Sequence, residues 1–418
     1  MSFYIAKRAK TTQLIIGLIL LIFVLFFSYM RAMKEPIGGD FHVFWQAGQD
    51  LWQQLPLYET RPGLREFLYP PFSALFFSFY SFFPFKVATY IFFLTNFVLW
   101  AYSFKILHGI FQNLSQNKVL IRRALWFSFF MSFKFYWNNT MMVQSNLIVY
   151  IFTLLGIANY FLNKENKAIV FFAIATSIKL TPVFFFFWII FQGKLKSFCK
   201  ALFSGAFFIV LPMFISGFSR GWSDLSWYAE HFVFKFLTVS HVSVSYANQA
   251  LSSTLHRVFT DMHEVGRPTY TLFNLGILAT GNLYKVLFVL IFATVLITII
   301  LNRKIKKTAA PEIPSIIVLS MLLLSGISWK AHLLSLSFVY VGQYLLYDRL
   351  TGLYKKSWWG ITFIITMAAM SGKVIIGKKM QLLTGGLGLY TWVMLILFCF
   401  FVLISYQNLG AVNNSKKI

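Results

Sequence analysis

An aspartate early in the chain, a lysine inside an apolar run and a late histidine are the residues best suited to chemistry. Asp40 follows Gly38-Gly39 and opens DFHVFWQAGQDL, in which Phe41, Phe44, Trp45 and Leu51 fall roughly on one side at helical spacing. The pattern predicts a short helix lying in a membrane interface. Asp40 then sits at its N-cap or first turn, where free N–H groups and the helix dipole favour a carboxylate. It is either a plain cap or a general base held at the membrane surface. Asp50, Glu59 and Glu66, later in the same stretch, read as solvated loop charges. No Asp-x-Asp pair is present, which argues against a nucleotide-sugar–metal site.

Lys179 lies in AIVFFAIATSIKLTPVFFFFWII, roughly 18 Å by helix rise from either end of that run. A lysine at such depth costs about 2.5–3.5 kcal/mol on insertion scales. Pro182 frees the carbonyl of Ile178 and predicts a kink. Lys179 either snorkels or caps those carbonyls, or faces a polar cavity where an anionic phosphate would be its natural partner. His332, in GISWKAHLLSL, could donate to a phosphate or position a sugar together with Lys330. Gln144 and Asn146, in NNTMMVQSNLIVY, enter a helix and suit either helix–helix hydrogen bonding or a site. Asn248, Gln249 and Arg257 share YANQALSSTLHRVF, and an arginine can clamp a phosphate with two parallel bonds. His231, His241, His256 and His263 lack the i,i+4 spacing of a helical metal pair. With no Gly-rich phosphate loop and no G-x-S-x-G, the expectation is no metal, no cofactor and no serine hydrolase chemistry.

A bundle of membrane helices must position these groups. Of 418 residues, 58% are hydrophobic and 12% charged, against about 25% charged in a soluble domain. Apolar runs long enough to cross roughly 30 Å of hydrocarbon recur from end to end. They lie near 12–30, 69–83, 87–107, 123–137, 143–162, 168–191, 201–218, 275–301, 313–328, 333–347, 358–370 and 382–405. The expectation is an all-α polytopic membrane protein of about twelve transmembrane helices, forming one domain over 1–418. The first run follows Lys7, Arg8 and Lys10 and is expected to be an uncleaved span with the N-terminus inside. The net charge of +25 suits anchoring against anionic lipid rather than nucleic acid binding. Cys199 and Cys399 imply neither a disulfide framework nor a metal cluster.

On this count Lys194-Lys196-Lys200, Arg303-Lys304-Lys306-Lys307, Arg349-Lys355-Lys356 and Lys416-Lys417 fall inside, as the positive-inside rule requires. Lys118-Arg122-Arg123 and Lys373-Lys378-Lys379 fall outside and do not fit. Glu312 and Asp348 are the acids placed inside. The remaining carboxylates and all seven histidines collect on the outer face. Two long outer segments, 31–68 and 219–274, are rich in aromatic and polar residues, with interfacial helices expected there.

The order of these pieces resembles glycosyltransferase family 87, a bacterial group of polyprenyl-phosphate-dependent mannosyltransferases. Asp40-Phe41, Phe44-Trp45, Ala47, Tyr58 and Tyr69-Pro70-Pro71 with Ala74-Leu75 resemble the family's first outer loop. Val143-Gln144-Ser145-Asn146 is similar to its Gly-Gln-x-Asn element, with valine in place of glycine. Lys179-Leu180-Thr181-Pro182 matches Lys-x-x-Pro, Asn248-Gln249-Ala250-Leu251 resembles Asn-Gln-Ser-Leu followed by Arg257, and His332 matches a histidine opening a late span. The resemblance runs from Gly39 to His332; the tail after Tyr347 matches in hydropathy alone.

The resemblance implies a GT-C fold with its active site where outer loops meet the bilayer, on the extracytoplasmic side of a bacterial plasma membrane. It implies a polyprenyl-phosphate sugar donor, mannose above all, and a lipid or glycan acceptor. Asp40 takes the place of the family's catalytic aspartate. His332, Lys179 and Arg257, in that order, are then the groups expected on the donor phosphate, with Gln144, Asn146, Asn248, Gln249 and Tyr69 around them. A transporter or flippase would suit the buried lysine, but predicts an internal repeat that the chain lacks. A polysaccharide polymerase or ligase would favour arginine pairs in two large outer loops. Arg61, Arg65, Arg220, Arg257 and Arg267 are scattered instead.

Overall fold

The computed structural model is built of helices joined by turns and loops, with no strand among its described residues, 2–191, 195–234, 242–263, 265, 270–303 and 310–415, and with the chain-terminal ends of the first and last helices described as backbone only. Lys194, His241, Arg267, Lys304, Lys306, Lys307, Lys416 and Lys417 fall outside the described residues, as do the side chains of Lys7, Arg8 and Lys10. The helices are α1 (Ser2–Lys34), α2 (Asp40–Trp52), α3 (Pro71–Ser81), α4 (Phe85–Gln112), α5 (Lys118–Met141), α6 (Asn146–Phe161), α7 (Glu165–Ile178), α8 (Phe184–Ile190) and α9 (Leu195–Val210). They continue as α10 (Met213–Ser216), α11 (Phe218–Tyr228), α12 (Leu251–Phe259), α13 (Ile277–Asn302), α14 (Glu312–Leu323), α15 (Leu336–Leu345), α16 (Gly352–Met370), α17 (Lys373–Gly386) and α18 (Leu389–Ser415).

Among the described residues, five stretches are helical, long and apolar enough to cross a membrane: Gly17–Lys34, Phe85–Gln112, Leu195–Ser216, Ile277–Asn302 and Leu389–Asn408. A sixth joins them if α16 and α17, bent by 96° at their junction, count as one span. Their lipid-sized apolar faces remain exposed: Leu18, Ile19, Phe203, Leu278 and Leu290 are all open. Apolar side chains on the outside, with Ser, Thr and Asn hydrogen-bonded inside, are what hydrocarbon as a solvent selects.

Contacts fix which helix ends lie together. At one end of the bundle, Lys86 of α4 donates to the carbonyls of Met33 (3.0 Å) and Glu35 (2.6 Å), just past α1. At that same end, Arg31 donates to the carbonyl of Met141, where α5 finishes (3.0 Å). At the other end, Lys200 of α9 meets Asn166 of α7 (2.6 Å) and Asn117 meets Asp348 (3.3 Å). The two long polar segments meet over the first end. There the Asp224 carboxylate of α11 accepts from the Leu57 N–H (3.3 Å) and from Arg220 (2.9 Å).

Two expectations change. The run 69–83 does not traverse the bundle. Its helix α3 is 11 residues long, about 16 Å by helix rise, and lies against α2. A Cβ on Gly48 would stand 2.8 Å from the Ser78 backbone, so glycine is what permits this approach. At the far end of α3 the Trp45 indole donates to the Phe83 carbonyl (2.9 Å). With that run removed from the count, Lys118, Arg122 and Arg123 move to the opposite end of the bundle, among the other basic clusters. That cluster now agrees with the positive-inside rule, while Lys373, Lys378 and Lys379 are not moved by the change and still do not fit it.

Second, 168–191 is not one kinked span but a hairpin. α7 stops at Ile178, and Lys179 is extended (φ −152°, ψ 126°). A 3-10 turn over Thr181–Val183 then sends α8 back, so that Trp188 packs on Tyr160 near the end of α6 (ring centroids 4.1 Å). Pro182 cannot donate to Ile178 and its ring crowds the preceding turn. Lys179 therefore stands at the apex of a hairpin, level with the start of α6, and not at mid-span.

Candidate functional site

At the apex end, side chains from four distant stretches join in one polar chain. Asp40 is the first residue of α2, and Gly39 is its N-cap. Gly38 (φ +88°) makes the entry turn, and a Cβ there would collide with the Gly63 carbonyl. Asp40 Oδ2 accepts from Gln144 Nε2, and Oδ1 accepts from Arg65 Nη1. The Gln144 amide oxygen in turn accepts from Asn146 Nδ2 (3.4 Å). Lys179 Nζ donates to Asn146 Oδ1 (2.7 Å) and lies 2.7 Å from His332 Nε2. Tyr69 flanks the group, with the Lys179 ammonium 5.8 Å from its ring centroid, close enough for a cation–π contact.

Each position has a local cause. Gln144 follows the C-terminus of α5, whose last turn closes through the Gln144 N–H to the Asn139 carbonyl (3.0 Å). That closure puts Val143 in the left-handed region at φ +51°. Glycine is the usual residue there, and a β-branched one costs of order 1–3 kcal/mol. The fully buried Val143 side chain offsets part of that cost. Asn146 opens α6 and reaches back to Asn139 (3.4 Å), which donates to Asn96 of α4 (2.9 Å). This ladder of amides ties the site to the bundle interior.

His332 is held by its other nitrogen. Nδ1 lies 3.0 Å from the Ile327 carbonyl, which can only accept, so Nδ1 carries the proton. Nε2 then accepts from the Lys179 ammonium. Burial, and secondly the Lys179 charge, push the imidazole well below its usual pKa. His332 is thus a neutral partner that aims Lys179, and Lys179, whose pKa burial pulls down to about 7, is the group of the pair that carries the charge. A small pocket of about 30 Å³ opens beside them, lined in part by Asn146, Thr181, Ser325 and Ser328. The arrangement can do two things: accept a proton at Asp40 and stabilise developing negative charge at Lys179.

Asn248, Gln249 and Arg257 do not join this chain. Arg257, at the end of α12, is 1% exposed. Its guanidinium donates to the carbonyls of Gly386 (2.9 Å) and Ser245 (2.7 Å) and to the hydroxyls of Ser253 (2.5 Å) and Thr254 (3.1 Å). The guanidinium expected on a phosphate is here committed to carbonyls and hydroxyls of the fold. Gln249 donates to the Gly385 carbonyl (2.9 Å) and accepts from the Tyr390 N–H (3.2 Å). Asn248 Oδ1 accepts from the Ser328 N–H (2.8 Å), and the Gln249 N–H donates back to the Ser328 carbonyl (2.9 Å). They pin residues 326–328, the loop whose Ile327 carbonyl holds His332. Their role is to position the site from behind.

Sequence reasoning also misplaced Asp50, which is 4% exposed and paired with Arg61 (2.8 Å), and overlooked Arg65 and the Asn96–Asn139 ladder. A carboxylate on the last turn of α2 and an arginine eleven residues on carry no spacing signal.

No curated protein matches the chain. The sequence model of glycosyltransferase family 87 matches residues 67–326, a stretch that holds Tyr69, Gln144, Asn146, Lys179, Asn248, Gln249 and Arg257. With most of the chain covered and the site's polar groups drawn from within and beside that stretch, the protein belongs to glycosyltransferase family 87 and is a membrane glycosyltransferase.

Proposed function

We propose that the protein is an inverting transferase that moves a sugar, mannose in the first instance, from a polyprenyl-phosphate donor to a hydroxyl of a lipid or glycan. The observation that carries this reading is the continuous polar chain from Asp40 through Gln144 and Asn146 to Lys179 and His332. It couples a carboxylate to a buried cation at one end of a helical bundle. An acceptor hydroxyl attacks the anomeric carbon while Asp40 takes its proton. The bond from that carbon to the phosphate oxygen breaks on the opposite face, and its electron pair leaves with the polyprenyl phosphate. Configuration inverts, as when a base carboxylate activates the nucleophile in inverting glycosidases. The leaving group is an anion and needs charge stabilisation rather than a proton. Lys179 supplies it, aimed by His332 and Asn146, so no metal is required.

The same reading takes the bundle as a GT-C fold that crosses the membrane about twelve times, with α7 and α8 as two short passes and α3 as none. It places the site on the extracytoplasmic side of a bacterial plasma membrane. The clustering of Lys118, Arg122, Arg123, Lys196, Lys200 and Arg349 at the opposite end supports that orientation. Purified protein given polyprenyl-phosphate mannose and a panel of glycolipid and glycan acceptors should transfer the sugar. Asp40→Asn should lower the rate by about 10²–10⁴. Transfer that survives Asp40→Asn would sink the assignment of the base.

A further inference from the structure

Arg65 is a residue to which neither composition nor spacing gives a role. Its guanidinium sits on Asp40 Oδ1, yet its side chain is 67% exposed, against 24% for the aspartate beneath it. Four residues earlier, Arg61 is fixed: it is 25% exposed and locked on the buried Asp50 carboxylate at 2.8 Å. Between them the Leu64 N–H closes a turn on the Arg61 carbonyl (3.1 Å). Pro62 and Gly63 (φ +78°) occupy its corner, the sequence and backbone of a type II turn. One end of the strap is therefore anchored to the last turn of α2. The other ends in an exposed arginine that lies over the first turn.

That placement creates a conflict for the reaction. Both oxygens of Asp40 are engaged, Oδ2 by Gln144 and Oδ1 by Arg65. The Arg65 guanidinium occupies the solvent side of Oδ1, where an acceptor hydroxyl would approach. An exposed guanidinium is at the same time well shaped to clamp a phosphate through two parallel bonds. Lys179, by contrast, is already tied to Asn146 and His332.

We propose that Arg65 is a phosphate ligand of the donor, and that it transfers from Asp40 to that phosphate when the donor binds. The transfer bares Oδ1, so the base becomes competent after the donor is in place, and the donor binds before the acceptor. This inference rests on the reading of a lipid-phosphate donor given above. It adds to that reading a positioning residue and an order of binding.

The test uses the full chain in lipid nanodiscs, with polyprenyl phosphate as the probe for binding and polyprenyl-phosphate mannose for initial rates. Arg65→Gln should weaken polyprenyl phosphate binding, and raise the KM for the donor, on the order of ten- to a hundred-fold, the range for a lost hydrogen bond to a charged group. The KM for the acceptor should stay within about two-fold of wild type, since Arg65 is not asked to touch the acceptor. Arg65→Lys should recover part of the loss, because an ammonium keeps the charge and forfeits the fork. In the wild type, polyprenyl phosphate should compete with donor and not with acceptor. Arg65→Gln should relax that order. Arg65→Gln that binds polyprenyl phosphate as tightly as an active wild type overturns the proposal. So does a matched rise in both KM values with a lower unfolding midpoint, which would make Arg65 a loop strut. A wild type that neither binds polyprenyl phosphate nor uses the sugar-charged form instead refutes the donor reading, before Arg65 is at issue.

Discussion

The two long polar segments at the site end of the bundle each contain an arginine, a residue type suited to binding phosphate, and they hold it in opposite ways. In the first, Arg65 is exposed and faces a carboxylate at the start of a helix. In the second, Arg257 is buried and faces carbonyls and hydroxyls contributed by three stretches of chain. The partners separate the two roles. Neutral carbonyls give a buried guanidinium a set of hydrogen bonds that need nothing more, and they fix the backbone that supplies them. A partly exposed carboxylate with an arginine above it is an ion pair that a second anion can divide.

The comparison is tested most severely at Arg257. Arg257→Met leaves the carbonyls of Ser245 and Gly386 without their donor in a dry environment. The expected cost is about 3–5 kcal/mol, in the range where only buried networks fall. It should appear as a large drop in unfolding midpoint, with the activity per folded molecule little changed while the protein remains folded. Lys179→Met should do the reverse. It should cost on the order of 10²–10³ in kcat while the midpoint holds, because removing the cation leaves His332 and Asn146 with each other and with the pocket. If Lys179→Met unfolds the protein and Arg257→Met silences it without unfolding it, the two roles have been assigned the wrong way round.

A third expectation concerns pH. His332 is held neutral, its pKa well below the usual histidine value. In the unfolded chain it takes up a proton near pH 6.5, and in the folded chain it does not. Folding stability should therefore fall as pH drops below about 6.5, by up to about 1.4 kcal/mol per pH unit for this one group. His42 and His256, also pushed down by burial, act with the same sign. Denaturant titrations between pH 7 and 5 should show the slope, and His332→Gln should remove the His332 share of it. An unchanged slope in His332→Gln would mean that the imidazole is already charged beside Lys179.

Much of the site was legible because polar residues inside apolar runs have few innocent explanations in hydrocarbon. Gln144, Asn146 and Lys179 stood out for that reason, Asp40 for its place at the start of an amphipathic helix and His332 for its place between two apolar runs, and the structure brings all of them together. The fold was less legible where hydropathy is blind to direction. The stretch 168–191 is apolar on both sides of Lys179, so a helix that reverses at Pro182 reads like one that continues. The stretch 69–83 is as apolar as a span, yet packs sideways on α2, a tertiary choice made by Gly48 and the aromatic residues around it. Arg65 read as one of several scattered arginines and Arg257 as a candidate phosphate clamp, because what sets them apart is the partner and not the neighbour in sequence. Val143 shows the converse case. Its backbone takes the conformation a glycine would, and the substitution is tolerated where the side chain is fully buried.

The smallest expected effect links the two segments. Asn248 touches nothing in the polar chain from Asp40 to His332, but its amide oxygen accepts the Ser328 N–H at 2.8 Å and the Ala250 N–H at 3.1 Å. Ser328 adjoins Ile327, whose carbonyl holds the protonated nitrogen of His332. Asn248→Ala leaves two buried backbone donors poorly satisfied, at a cost of about 1–3 kcal/mol, and loosens the loop that aims His332 and, through it, Lys179. A shift of a few tenths of an ångström in that cation should reduce kcat a few-fold, about 1 kcal/mol in the barrier, and leave the donor KM near its wild-type value. Gln249→Ala should resemble it in stability and exceed it little in rate, since its side chain bonds to Gly385 and Tyr390, on the side away from His332. If Asn248→Ala instead raises the donor KM as strongly as Arg65→Gln lifts it, then the second segment contacts the donor directly, and the division between a working segment and a supporting one fails.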